Sequence, residues 1–372
     1  MAELIRERPR RVAVLSKKPL ATHRYDRWLS EFGIRTTLFA EDTSASRTFL
    51  AGTHQYSTAP RLFPDWKRNR AVDQAVAAEH AEQPFDRIVA LSECDLVRAA
   101  ELRAYLDIPG QRPASATAFR NKSVMKSLAG RAGLRVPDHR LVDSVATLMD
   151  FADSHPDGVV VKPVDGSGSV GVIELHNRTE IESWAHARAL SCDDPTDYLV
   201  EERIAGPMLS VDGLMRAGQV RAVMIGAYTR TCLHSLIELA PHGILLLDAD
   251  DPRVVAAGDY LTRLLRALPV PAETMSFHCE FFDHPHHGPM LCEIACRTGG
   301  GNLNLIAREA LGIDLEQASC LGQAGIDVPV EHTMPEPGRC YGDLVVPRSA
   351  RSLPPWCALR STRRPALPLP PG

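Results

Sequence analysis

Two glutamates, an arginine and a run of three glycines crowd the stretch 275–304, MSFHCEFFDHPHHGPMLCEIACRTGGGNLN. Two short apolar runs flank a loop of His, Pro, Asp and Gly, a pattern that predicts a β-hairpin. Glu280 falls in the first run, among Phe277, Phe281 and Phe282. Glu293 falls in the second, between Cys292 and Ile294. On paired antiparallel strands two such carboxylates can face one side. Acids inside apolar strands are unfavourable unless a metal or a cation compensates them. Arg297 follows Glu293 by four, and Gly299-Gly300-Gly301 lies beyond it. The simplest chemistry for that set is a hard cation, Mg²⁺, holding phosphate. The structural alternative is a buried Glu293–Arg297 ion pair beside a glycine turn.

Two earlier segments carry related chemistry. Residues 158–175, GVVVKPVDGSGSVGVIEL, read as strand, small loop and strand. Lys162 sits inside the Val-rich strand, where a lysine calls for an anion. The Ser/Gly loop after it lets backbone N–H groups approach phosphate oxygens without steric bulk. The alternative is a plain hairpin turn with an edge lysine; the GxxxxGK[ST] phosphate loop is missing. Residues 201–204, Glu-Glu-Arg-Ile, close another strand. Such a connector can hold adenine, a carboxylate accepting from the exocyclic amine while backbone groups serve the ring edge. A solvated charged turn is the alternative there.

The elements that must position these groups follow from periodicity. Residues 11–15, a helix over 24–32 and a strand over 34–39 form a β-α-β start. A helical pattern over 65–82, the buried strand 84–91 and a helix ending before Pro109-Gly110 continue it. Alternating strands and helices predict an open, mostly parallel α/β sheet over roughly the first 115 residues. No GxGxxG follows the first strand, which argues against a dinucleotide-dependent dehydrogenase. Lys122 opens a further helix, and 252–268 is strongly amphipathic.

The whole chain has 372 residues, with 44% hydrophobic and 24% charged residues and a net charge of -4. This is an ordinary globular composition with no general attraction to nucleic acid or anionic membrane. No apolar run is long enough for a membrane span or a signal peptide, so a cytoplasmic setting is expected. The nine cysteines are scattered without a CxxC pair and are read as reduced thiols. His284, His286 and His287 resemble a ligand set but are read as a solvated hairpin loop. Residues 347–372 hold seven prolines and several arginines without periodicity, and are expected to be poorly ordered.

Taken in order, these pieces resemble the ATP-grasp superfamily, most closely its carboxylate–amine ligases that join amino acids or related acids to amines. The resemblance covers roughly residues 11 to 325. It implies an α/β (α+β) architecture: a Rossmann-like pre-ATP-grasp domain over 1–115, then a two-subdomain ATP-grasp domain over 116–325. The lid would span about 125–200, the ATP- and Mg²⁺-binding part about 200–325, and a Pro/Arg-rich tail 326–372. Lys122 and Lys162 would contact ATP phosphates, with Ser167, Gly168 and Ser169 as the closing loop. Glu201, Glu202 and Ile204 would line the adenine pocket, Glu201 by its side chain. Glu280 and Glu293 would hold Mg²⁺, with Mn²⁺ as an admissible substitute, and Arg297 would steady the acyl phosphate. Asp212 stands where some members place a nucleotide- or substrate-facing acid. The implied partners are a small-molecule carboxylate and an amine, and the resemblance allows a homodimer.

One departure stands out. Many members place an Asn two residues after the second Glu, as a further metal ligand; here it is Ala295. Asn302 or Asn304 would have to replace it, or water. Three readings are therefore expected to compete: an amide-forming ligase releasing ADP and phosphate, a non-catalytic ATP-binding protein, and an ATP-grasp enzyme of D-Ala–D-Ala or carboxylase type. No biotin-carrier domain is visible. Arg230, His234 and Glu238 are candidates for substrate contacts.

Overall fold

The computed structural model describes residues 10–189, 197–347 and 356–359. The chain opens with β1 (Arg11–Ser16), all six residues of it buried, then α1 (Tyr25–Ser30), β2 (Arg35–Glu41), α2 (Ser44–Leu50), β3 (Arg61–Phe63), α3 (Ala71–Glu82), β4 (Arg87–Ala90) and α4 (Leu96–Tyr105). The strands are parallel in the order β3-β2-β1-β4, as the alternating pattern predicts. Buried on both faces, β1 reads as continuous Val, Ala and Leu rather than alternating residues. The short α2 and β3 were not legible in the sequence. A 3-10 turn at Glu93–Asp95 follows β4 and delivers Glu93 at the carboxyl end of the sheet. That is where open α/β sheets place ligands.

Helices α5 (Pro113–Ala118) and α6 (Lys122–Arg131) follow. Asn121 caps α6, its side chain accepting from the N–H groups of Ser123 and Val124. A separate four-stranded sheet is built from β5 (His139–Leu141), β6 (Val159–Pro163), β7 (Ile173–Leu175) and β8 (Tyr198–Glu202), antiparallel in the order β5-β8-β6-β7, with α7 (Val145–Asp153) and α8 (Arg178–Ala189) between its strands in the chain. It has its own apolar core, with Leu148, Phe151, Val159, Val161, Ile181 and Val200. The span expected as a lid, about 125–200, also takes in most of α6. Met125 and Ala129 of α6 pack instead into the core of the large sheet.

That sheet comprises β9 (Met208–Arg216), β10 (Gln219–Tyr228), β11 (His242–Leu246), β12 (Thr274–His284) and β13 (Gly288–Ala295), with α9 (Cys232–Glu238) and α10 (Pro252–Ala267) between them. Helix α10 lays Val254, Leu261, Leu264 and Leu265 against the sheet. Each such buried chain contributes about 1.5–3 kcal/mol. Helices α11 (Leu303–Leu311) and α12 (Leu315–Gln323) come next. Helix α12 touches both β12 and the N-terminal sheet. At Gly322 a Cβ would collide with the Thr274 carbonyl of β12, so only glycine permits this approach. Gln323 completes the joint: its side chain accepts from the Ala90 N–H and donates to the Ala90 carbonyl, both at 3.0 Å.

The tail expected to be poorly ordered from 326 is corrected in part. Thr333 bonds the backbone of β10, and β14 (Gly342–Pro347) and β15 (Trp356–Leu359) extend the sheet to β13-β12-β9-β10-β11-β14-β15. Leu344 and Val345 pair with β11, whose edge offers an unfilled ladder, and β15 pairs in turn with β14. Residues 348–355 and 360–372 lie outside the described residues.

Candidate functional site

The hairpin predicted around Glu280 and Glu293 is β12–β13. The two glutamates are direct cross-strand partners, with a register shift immediately after Glu280. Directly opposed side chains leave a sheet on the same face, so the carboxylates converge. Neither acid pairs as the structural alternative required. Glu293 Oε2 meets Lys122 Nζ at 2.8 Å, and Glu280 Oε1 accepts from the Tyr228 hydroxyl at 3.1 Å. Burial raises the Glu293 carboxyl, but Lys122 and Arg297 outweigh it and hold the group well below the usual carboxylate range.

Behind Glu280 stands a buried relay that the sequence reading missed. His278 Nε2 lies 3.6 Å from Glu280 Oε1, and its Nδ1 meets Asp212 Oδ1 at 2.8 Å. The Ser210 hydroxyl donates to the other Asp212 oxygen at 2.5 Å. Burial opposes a charge on His278, but Asp212 and Glu280 win and push the imidazole up to about 10. Asp212 therefore faces His278 rather than open space. The period of two was the available signal, since His278 and Glu280 must share a face. Gly299 makes room for the relay: a Cβ there would sit 2.7 Å from both Asp212 Oδ1 and His278 Nδ1.

Three basic side chains belong to the same region. Lys122, at the first turn of α6, also donates to the Gly166 carbonyl at 2.9 Å. Lys162 of β6 is 4% exposed and reaches Glu201 Oε2 at 2.7 Å. The two residues are diagonal neighbours on the β6–β8 ladder. Arg120 donates to Gly166 as well, at 2.9 Å, and to Glu93 at 3.1 Å. The loop between β6 and β7 holds Ser167, Gly168 and Ser169, the latter two in the left-handed region at φ 62° and 58°. A Cβ on Gly168 would meet nothing within 4 Å. The loop is thus attached to the site through Gly166 and open at its tip.

The connector expected to line an adenine pocket lies at the end of β8. Glu201 is 2% exposed, and its carboxylate forms ion pairs with Lys162 at 2.7 Å and Lys126 at 3.3 Å. A lysine buried in a Val-rich strand demands a counter-charge, and Glu201 is the nearest. The Glu202 carboxylate accepts from the Asp138 N–H at 2.9 Å, which ties the connector to the lid. Ile204 follows, half-buried, in the segment leading to β9.

Arg297 does not touch Glu293. Its Nε donates to Glu93 Oε2 at 2.7 Å, and its NH1 to the Thr298 carbonyl at 3.1 Å. Glu93 had no local signal, because Ser-Glu-Cys-Asp reads as a loop. The substitutes considered for Ala295 are engaged elsewhere. Asn304 holds the α11–α12 joint through Leu315 and Asp314, and Asn302 donates to Asp343 of β14. Arg230 pairs with Glu238, and His234 meets Glu174 of the lid at 3.3 Å. His286 and His287 stand exposed on the β12–β13 turn beside half-buried His284. Cys94, Cys232, Cys279, Cys292, Cys296, Cys320 and Cys340 are free thiols. Burial pushes Cys292, beside Glu293, up to about 12, which makes it a poor nucleophile.

Among the described residues no cluster of three or more His, Cys, Asp or Glu can hold a metal by itself. Two converging carboxylates nevertheless fit Mg²⁺, which takes one or two carboxylates and completes its shell with phosphate and water.

No family model matches the chain. It is 25% identical over 243 residues, 63% of its own length, to the L-arginine-specific L-amino acid ligase of Bacillus subtilis; the match spans 57% of that relative. Among solved structures, an L-amino acid ligase from Bacillus licheniformis superposes with a TM-score of 0.67 at 19% identity, covering 92% of this chain and 82% of that one. The N5-carboxyaminoimidazole synthetase of Staphylococcus aureus with ADP gives 0.66 at 12% identity, over 91% and 82%. The biotin carboxylase of Campylobacter jejuni gives 0.67 at 15%, over 91% and 75%. These likenesses establish the ATP-grasp fold. Among the described residues no helix is long and apolar enough to cross a membrane.

Proposed function

We propose that this ATP-grasp chain is an ATP-dependent carboxylate–amine ligase that activates an amino acid or related acid as an acyl phosphate and joins it to an amine. The observation that carries this reading is the in-register pair Glu280 and Glu293, with Lys122 on one of them and Lys162 nearby. A carboxylate resists attack by an amine while it bears a full negative charge. Phosphorylation supplies a leaving group, and that transfer needs positioning and charge neutralisation rather than covalent help from the protein.

In this reading Lys122 and Lys162 receive the nucleotide phosphates, and the Ser167-Gly168-Ser169 loop closes over them. Glu202 and Ile204 border the base. Glu280 and Glu293 would hold Mg²⁺, which would neutralise phosphate charge when bound. Tyr228 and the Asp212–His278 relay fix the direction of Glu280. Arg297 already grips a carboxylate, that of Glu93, and a guanidinium fork suits an acyl phosphate equally well. Closing the loop excludes water, without which the intermediate would hydrolyse. The cytoplasmic setting and the homodimer belong to the same reading.

The test is phosphate release across a panel of amino acids, with mass spectrometry of the products. A dipeptide or other amide formed with stoichiometric ADP supports the ligase. Phosphate release that depends on bicarbonate and yields no amide would instead place the chain with the carboxylases that share its fold.

A further inference from the structure

The helix that presents Lys122 carries a second lysine one turn later, on the same face. Lys126 is 0% exposed. Its Nζ donates to the Leu291 carbonyl of β13 at 2.7 Å and lies 3.3 Å from Glu201 Oε1. The other Glu201 oxygen, Oε2, is held by Lys162 at 2.7 Å. One buried carboxylate is thus shared by two amines, one from α6 and one from the lid.

We propose that Lys126 is a positioning residue for nucleotide phosphate: by occupying one oxygen of Glu201 it keeps that carboxylate from closing on Lys162 with both. This rests on the reading of Lys162 as a phosphate contact. A buried carboxylate is strongly unfavourable without compensating cations. Without Lys126, the nearest remaining cation is Lys162, and Glu201 would turn both oxygens to it. Lys162 would then be drawn toward β8 and away from the loop that closes over phosphate. The bond to Leu291 prevents Lys126 from following Glu201. It also anchors the triad to the strand that carries Glu293, two residues on. Lys126 thereby fixes the lid lysine relative to the acid strand without touching nucleotide itself.

Calorimetric titration of the full chain with Mg·ATP and with adenosine tests this. In Lys126→Met, affinity for ATP should fall by about tenfold or more while adenosine affinity stays within about twofold. Adding Glu201→Gln removes the competing carboxylate and should restore most of the ATP affinity. An equal loss for adenosine and ATP would reduce Lys126 to scaffolding, and unchanged ATP binding would also overturn the proposal. If Lys126→Met does not fold, the double variant is read alone. ATP affinity within about threefold of wild type supports the proposal, and a loss of tenfold or more overturns it. Wild-type protein that binds no ATP refutes the phosphate reading itself, and is thus distinguishable from failure of the Lys126 role.

Discussion

Arg297 and Glu93 are 204 residues apart in the chain, yet the guanidinium meets one oxygen of the carboxylate through both Nε, at 2.7 Å, and NH2, at 2.5 Å. The pair joins the carboxyl end of the N-terminal sheet to the turn after β13. Arg120 holds the other Glu93 oxygen and reaches the lid loop at Gly166. A single acid therefore connects the arginine that follows the Glu280–Glu293 hairpin to the β6–β7 loop at Gly166.

Glu93→Gln should lower the rate of amide formation by about tenfold or more, because Arg297 loses its charged anchor while Lys122 still holds the loop at Gly166 and Lys162 keeps its own partner. ADP affinity should move by less than about twofold. Steady-state phosphate release and an ADP titration check the split. An equal fall in both quantities would assign Glu93 to the fold alone.

Glu293→Gln should abolish Mg²⁺-dependent ADP formation, by more than about a hundredfold, with secondary structure and unfolding midpoint nearly unchanged. The amide keeps the shape but removes the charge opposite Glu280 and leaves Lys122 without its partner. Turnover close to wild type would remove the metal assignment from this hairpin.

Glu316 gives a stability signal separate from the site. It pairs with Lys18 at 3.0 Å and His23 Nε2 at 2.8 Å, and so locks α12 to the first loop of the N-terminal sheet. Burial raises its carboxyl, but His23 and Lys18 override this and lower it to about 2. A depressed acid contributes stability above its unfolded value, near 4.5, and that contribution disappears as pH falls toward 2. It is on the order of 3 kcal/mol at neutral pH. Glu316→Gln should destabilise the protein at pH 7 and flatten the acid limb of the stability curve. Denaturant unfolding at pH 7 and pH 3 measures both; parallel curves for the two proteins would disprove the linkage.

Much of this architecture was written locally. The parallel N-terminal sheet, the α6 start at Lys122, the β6 loop, the amphipathic α10 and the Glu280–Glu293 hairpin all follow from period-two or 3.6-residue patterns and from turn residues. Such patterns act over a few residues, so a short window reveals them. The tail strands β14 and β15 were hidden by their proline-rich surroundings, and only the open edge of β11 gives them a place.

The sequence by itself determined which charged residues are present, on which strand or helix each is carried, and that the hairpin acids share a face. Only the tertiary structure decided their partners. Glu293 took Lys122 rather than Arg297, Arg297 took Glu93, and Glu201 took two lysines. The reason is that electrostatic pairing depends on distance through space and on burial. Both are set when the lid, the N-terminal sheet and the large sheet pack together, and neither is encoded in spacing along the chain.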